Sequence, residues 1–210
     1  MGNVKPIIFF DFDGVFVDSF DMVLDIAREL NPSAEASHIR WVMEGNVFER
    51  LKELEHRGEF IIDKDFDKKY QARIAHHSLI PGMEDAVRDI AADHSLAIVS
   101  SSHSDPIRIF LETHGIGHHF PTVLGSDIHP KKTHKMQMYF DEHGSGGATK
   151  SLMVTDSLGD IEEARNLGIP SLAVSWGYHP EETIRKGNPG AIVREIAHLP
   201  RMIRELLAGS

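Results

Sequence analysis

Apolar residues fall in two rhythms along the chain. Ile7-Ile8-Phe9-Phe10 is an unbroken apolar run, the mark of a strand covered on both faces. From there to residue 80 the apolar positions recur every three or four, with charges between them, and predict helices over 21–30, 38–45, 46–56 and 63–78. Asn31-Pro32 and Arg57-Gly58 punctuate that stretch. Beyond Pro81-Gly82, short apolar runs alternate with amphipathic segments. Leu96-Ala97-Ile98-Val99, Thr122-Val123-Leu124, Leu152-Met153-Val154, Leu172-Ala173-Val174 and Ala191-Ile192-Val193 predict strands. The segments 83–93, 105–114, 133–143 and 159–167 predict helices, and a last one runs to about residue 207. Such alternation predicts a Rossmann-like α/β core, a central parallel sheet flanked by helices. The core spans 1–17 and 81–210, and a small all-helical insert occupies 18–80. Ligands of open α/β sheets bind outside the carboxyl ends of the strands, so an insert leaving from the first strand's end is expected to cover the site as a cap.

The 210 residues, 41% of them hydrophobic, suffice for a substantial core. A formal net charge of -10 argues against nucleic acid or an anionic membrane as partner, because both select clustered Lys and Arg. No cysteine is present, which excludes disulfides and thiolate chemistry. Neither a signal-peptide core nor a membrane-length apolar run is apparent, and the expectation is a cytoplasmic protein, monomer or homodimer. Fourteen histidines invite a transition-metal reading at His76-His77, His114 and His118-His119. Gly115 and Gly117 interrupt the helical spacing there, so surface and cap roles are expected instead.

The charged positions that change the picture sit at strand ends. Asp11-Phe12-Asp13-Gly14 delivers two carboxylates, one residue apart, from an apolar strand into a glycine turn. Strand alternation turns both toward one side, where they repel unless a cation joins them. A hard divalent ion such as Mg²⁺ would do so, and one carboxylate would remain free to attack phosphorus. A solvated Asx turn is the plainer reading of that tetrapeptide alone. Ser100-Ser101-Ser102 ends the second strand, with hydroxyls and N–H groups able to hold a phosphoryl oxygen. Lys131-Lys132-Thr133-His134-Lys135 opens a helix after the third. Asp156 and Asp160 lie four residues apart where the fourth strand meets its helix, a place where acids also serve as caps.

Taken in this order, these four segments resemble the motifs of the haloacid dehalogenase (HAD) superfamily over nearly the whole chain. Asp11 through Ser19 resembles motif one, Ser100 motif two, Lys132 motif three, and Asp156 with Asp160 motif four. Val15 stands where threonine is commoner, and no proline follows Lys132, which leaves Lys131 and Lys135 as rivals. The run Ser175-Trp176-Gly177-Tyr178-His179-Pro180 is similar to phosphoglycolate-phosphatase-like members with a helical cap.

The resemblance implies a Mg²⁺-dependent phosphatase acting on small phosphorylated metabolites, phosphoglycolate or sugar phosphates being the reasonable class. Asp11 is then the nucleophile that forms an aspartyl-phosphate and Asp13 the general acid and base. Ser100, Ser101 and Lys132 bind the phosphoryl group, while Asp11, Asp13 (by its carbonyl), Asp156 and Asp160 hold the metal. A phosphosugar mutase of the same fold and a non-catalytic protein that retains it are the alternatives. Asp13 speaks against a dehalogenase, because halide leaves without an acid. A phosphonatase would need a Schiff-base lysine in the insert, for which Lys52 and Lys64 are available in position but lack a supporting sequence context. Arg40, Trp41, Asn46, Arg50 and Arg73 are the insert residues that could reach an anionic substrate, and His103 could line the site.

Overall fold

The computed structural model describes residues 5–61, 65–143 and 150–209. Six strands form one wholly parallel sheet in the order β3-β2-β1-β4-β5-β6. They are β1 (Ile7–Phe10), β2 (Ser95–Val99), β3 (Thr122–Leu124), β4 (Ser151–Thr155), β5 (Ser171–Val174) and β6 (Ala191–Val193). The expected strands are all present, in the expected class of sheet.

Strand alternation sorts the core into two layers. Ile8, Phe10, Ile98 and Val154 face one side, where α5 (Met83–Asp93), α6 (Ser104–Thr113) and α10 (Leu199–Ala208) supply Val87, Phe110 and Ile203. Ile7, Phe9, Val99 and Met153 face the other, against Met136 and Tyr139 of α7 (Lys132–His143) and Ala164 of α8 (Leu158–Asn166). Both faces are dry, which is why the strands read as solid apolar runs.

Between β1 and α5 come α1 (Phe20–Leu30), α2 (Ala36–Met43), α3 (Val47–His56) and α4 (Asp65–Ile74), with no strand among the described residues there. The expected 63–78 helix is shorter, and its first positions fall in 62–64, outside the described residues. Helix α2 begins two residues earlier than its apolar spacing indicates. Glu35 and His38 form a reciprocal capping box, a role for which His is an unusual sequence signal. Helix α9 (Glu181–Lys186) went unpredicted, since six residues are too few to display a period.

Candidate active site

Register brings the sequence motifs together. Phe10 of the central strand pairs with Ile98 on one side and Val154 on the other. Ser100 and Asp156 each lie two residues further along, so they flank the turn that carries Asp11 and Asp13. The winding reverses between the neighbouring strands β1 and β4, the switch point where an open α/β sheet leaves a crevice. Gly14 there has φ +75°, and a Cβ on it would fall 2.2 Å from Asp156 Oδ2. Only glycine serves both the turn and that close approach. Gly177 is equally confined, its Cβ falling 2.2 Å from the Asp156 Cβ. Asp11, Asp13, Ser100, Ser101, Lys132, Asp156 and Asp160 all line one cavity of about 300 Å³ between core and insert.

Three lysines at the start of helix α7 go to different places. Lys132, Lys135, Met136 and Tyr139 are its buried stripe, whereas Lys131 is exposed and pairs with Glu49 at 2.8 Å. Lys132 Nζ lies 2.7 Å from Asp11 Oδ1 and 2.6 Å from Asp160 Oδ2, with its side chain 3% exposed. Lys135 Nζ turns beneath the sheet ends to donate to the Ser100 carbonyl at 2.5 Å and the Gly125 carbonyl at 3.4 Å. Asp11 Oδ1 also accepts the Phe12 N–H at 2.8 Å, while Oδ2 takes neither bond. Ser157, not an acid, caps α8 by accepting the Asp160 N–H. That frees the Asp160 carboxylate for Lys132 and for the Thr155 hydroxyl, which donates to it at 2.7 Å.

Burial drives the electrostatics. Desolvation pushes the Asp11 carboxyl well above the usual range even though Lys132 opposes it. Asp156 is pushed up to about 7 by burial, against the Tyr178 N–H that it accepts at 2.6 Å. Burial works to raise Asp160 as well, but the Lys132 ammonium outweighs it and holds the group below the ordinary value. Burial likewise opposes charge on Lys132, and Asp11 and Asp160 outweigh it so that its pKa is raised. Lys135 is pulled down to about 8 by burial and by Lys132.

Asp13 is held by three hydroxyls: Ser19 closes the first motif, Ser102 belongs to the serine run expected to face a phosphoryl group, and Tyr70 is one that the sequence did not single out. Asp13 Oδ1 accepts from Ser19 Oγ at 2.5 Å, its Oδ2 from Ser102 Oγ at 2.7 Å, and Tyr70 Oη lies 2.8 and 2.9 Å from the two. Ser19 sits at the N-cap of α1 without capping it, and its hydroxyl also meets Tyr178 Oη at 2.8 Å. Tyr70 comes from α4 in the insert, so no local signal links it to the first motif. The run after β5 closes the back of the site: Trp176 Nε1 donates to the Val15 carbonyl at 3.3 Å. His179 accepts the Leu158 N–H on Nδ1 at 3.0 Å, and its Nε2 lies 2.9 Å from the Arg40 carbonyl in the insert.

Several candidates stay outside the cavity. Arg40 stacks on Phe20 and donates to the Tyr178 carbonyl, and Arg50 stacks on Trp41. Arg73 pairs with Glu29, and Asn46 caps α3 while binding Glu163 and the Pro130 carbonyl. His103 pairs with Asp67 at 3.3 Å rather than lining the cavity. Lys52 lines the cavity but is exposed, and Lys64 lies outside the described residues. Ring nitrogens of His94, His114 and His143 meet carbonyls one turn back at their helix ends.

The residues fit a hard divalent cation. Donors around Asp11, Asp13, Asp156 and Asp160 are all oxygen, and their negative charge exceeds what Lys132 and Lys135 balance. Among the described residues no three carboxylate, imidazole or thiolate groups are arranged to hold a metal ion by themselves. Mg²⁺, which takes one or two carboxylates and keeps several waters, matches so open a donor set better than a fully caged ion does.

Fold and site together define an α/β enzyme with a carboxylate centre at the switch point of its sheet. The chain belongs to the haloacid dehalogenase-like hydrolases, whose family model matches residues 8–174. Within that family it is an enzyme of the phosphatase type. It is 30% identical to the phosphoglycolate phosphatase of Mesorhizobium japonicum over 96% of this chain and 95% of that protein. A phosphoglycolate phosphatase of Aliivibrio fischeri is 28% identical over 92% of this chain and 94% of its own length. In fold it is similar to a haloacid dehalogenase-like hydrolase from Streptococcus pneumoniae, with TM-score 0.77 and 21% identity over 97% of this chain and all (100%) of that one.

Proposed function

We propose that this phosphatase hydrolyses small phosphomonoesters with Mg²⁺ through a phosphorylated Asp11, beneath a cap formed by residues 18–80. The convergence of four acids, a buried lysine and a serine on one cavity at the centre of the sheet carries the proposal. Asp11 Oδ2 attacks phosphorus while Oδ1 is held by Lys132 and the Phe12 N–H. The ester P–O bond breaks as Asp13 gives its proton to the departing alcohol. Asp13 then takes a proton from the water that attacks phosphorus and breaks the O–P bond of the Asp11 acyl phosphate, which frees inorganic phosphate and restores both acids. Lys132, with the hydroxyl and N–H groups of Ser100 and Ser101, holds the phosphoryl oxygens. Asp11, the Asp13 carbonyl and Asp156 would hold Mg²⁺, with Asp160 in support through Lys132. The ion supplies neutralisation of charge on the transferring group. Phosphoglycolate, named for the relatives, is one candidate substrate.

The test is phosphate release from a panel of small esters, with and without Mg²⁺, for wild type and Asp11→Asn. Metal-dependent turnover that falls by at least about a hundredfold in the variant is expected. Activity within about tenfold of wild type in Asp11→Asn would remove the nucleophile assignment.

A further inference from the structure

Beyond the acids, the cavity is walled by the insert, and that wall is apolar. Leu30, Val42, Met43, Phe48, Leu51 and Phe66 line it from all four insert helices. Ile61, 68% exposed, lines it as well. The polar insert groups that reach it are largely committed elsewhere. Asn31 exchanges two hydrogen bonds with the Ile61 backbone, at 2.7 and 3.2 Å. The Tyr70 hydroxyl serves Asp13, and Asp67 faces His103. No arginine lines the cavity among the described residues. The insert arginines are stacked on aromatic rings or paired with acids, as described for Arg40, Arg50 and Arg73. Among the described residues Lys52 is the one insert cation on the lining, at an exposed position.

Geometry also says which part of the substrate meets this wall. Tyr70 belongs both to the wall and to the hydroxyl cluster on Asp13, the group to which the mechanism proposed above assigns the leaving alcohol. The phosphoryl group is bound on the Lys132 and Ser100 side, so the organic body of the ester extends past Asp13 into the apolar space. A second carboxylate, as in phosphoglycolate, or the hydroxyls of a sugar would be desolvated there with few partners, at considerable cost. A methylene chain or an aromatic ring would gain from the same burial. A cavity of about 300 Å³ accepts a body of metabolite size.

We infer that the preferred substrates are monophosphates of apolar alcohols, aliphatic or aromatic, with no second charge. The inference rests on the phosphatase reading above and narrows its substrate class.

The experiment compares kcat/KM for methyl, propyl and hexyl phosphate, 1-naphthyl phosphate, glycerol phosphate and phosphoglycolate. In parallel, calorimetry on Asp11→Asn measures binding of methyl-, propyl- and hexylphosphonate, which cannot be hydrolysed. Each added methylene is expected to raise kcat/KM by about threefold until the cavity fills, and hexylphosphonate to bind at least about tenfold tighter than methylphosphonate. Leu51→Arg should flatten both series and improve phosphoglycolate. Should that variant fail to fold, the wild-type series decides alone. Turnover that is flat or falling with chain length, or highest for phosphoglycolate and lost in Lys52→Ala, overturns the inference while leaving a phosphatase. Chain-dependent phosphonate binding without turnover of any ester has the opposite meaning: the apolar pocket stands and the catalytic reading falls.

Discussion

Lys132 carries the sharpest prediction at the scale of single residues. Its ammonium is the only one within 3 Å of Asp11 and Asp160 among the described residues, and both partners are buried. Lys132→Ala strands two acids and removes a phosphoryl ligand. Turnover should fall by about a hundredfold or more, and urea unfolding should show a loss of about 3–5 kcal/mol. Lys131→Ala should stay within about threefold of wild-type turnover, because that side chain only meets Glu49 at the surface. Equal losses in the two variants would contradict the assignment. Tyr70→Phe tests the hydroxyl cluster on Asp13. Removal of one donor to a carboxylate should lower kcat by about tenfold with the melting temperature nearly unchanged. A drop confined to KM would instead make Tyr70 part of substrate binding alone. The acid positions were legible in the sequence because charge is rare at the end of an apolar strand. Tyr70 was not, because only the fold of α4 over the sheet brings it to a residue 57 positions away.

At the scale of elements, the approach of the insert to the core depends on the first turn of α8. A Cβ on Gly159 would fall 2.4 Å from the Gly45 carbonyl oxygen, between α2 and α3. Gly159→Ala therefore forces α8 and the insert apart by part of an ångström or more. The expected result is a kcat/KM about tenfold lower on any ester, with circular dichroism unchanged, since the site opens where water must be excluded. Unaltered kcat/KM would mean that this contact has no part in closing the site. The same junction explains the reach of sequence reasoning along helices. Apolar period located α1 and α3 to within a residue or two, and buried Lys132 and Lys135 at an interval of three mark the sheet-facing stripe of α7. Ser19, a residue type that ordinarily caps, stands at the start of α1 without capping it because its hydroxyl goes to Asp13 and Tyr178.

For the whole molecule, the buried acids make stability depend on pH and on metal together. Asp11 and Asp156 bind protons more tightly folded than unfolded, Asp156 with a folded value of about 7 against 3.8 unfolded. Between those values the folded state holds more protons, so this contribution to stability is present below about pH 4 and is lost as pH rises through 7. Asp160, held low by Lys132, is ionised throughout that window and leaves the sign unchanged. A chelator-treated sample should therefore melt at a lower temperature at pH 8 than at pH 5.5. Mg²⁺ should recover several degrees at pH 8 and little at pH 5.5, because binding is to the ionised acids. A melting temperature indifferent to Mg²⁺ at pH 8 would count against the metal. What the sequence determined by itself is the α/β alternation, the place of the helical insert and the four motifs at strand ends, three of them charged and one a serine run. Those follow from local period and from the rarity of charge beside apolar strands. Tertiary structure alone set the Lys132 ammonium between Asp11 and Asp160, gathered three hydroxyls from three separate segments on Asp13, and turned an apolar wall of the insert to the site. The reason is that side chains far apart in the chain meet only through the packing of one element on another, and spacing along a single element carries no record of that meeting.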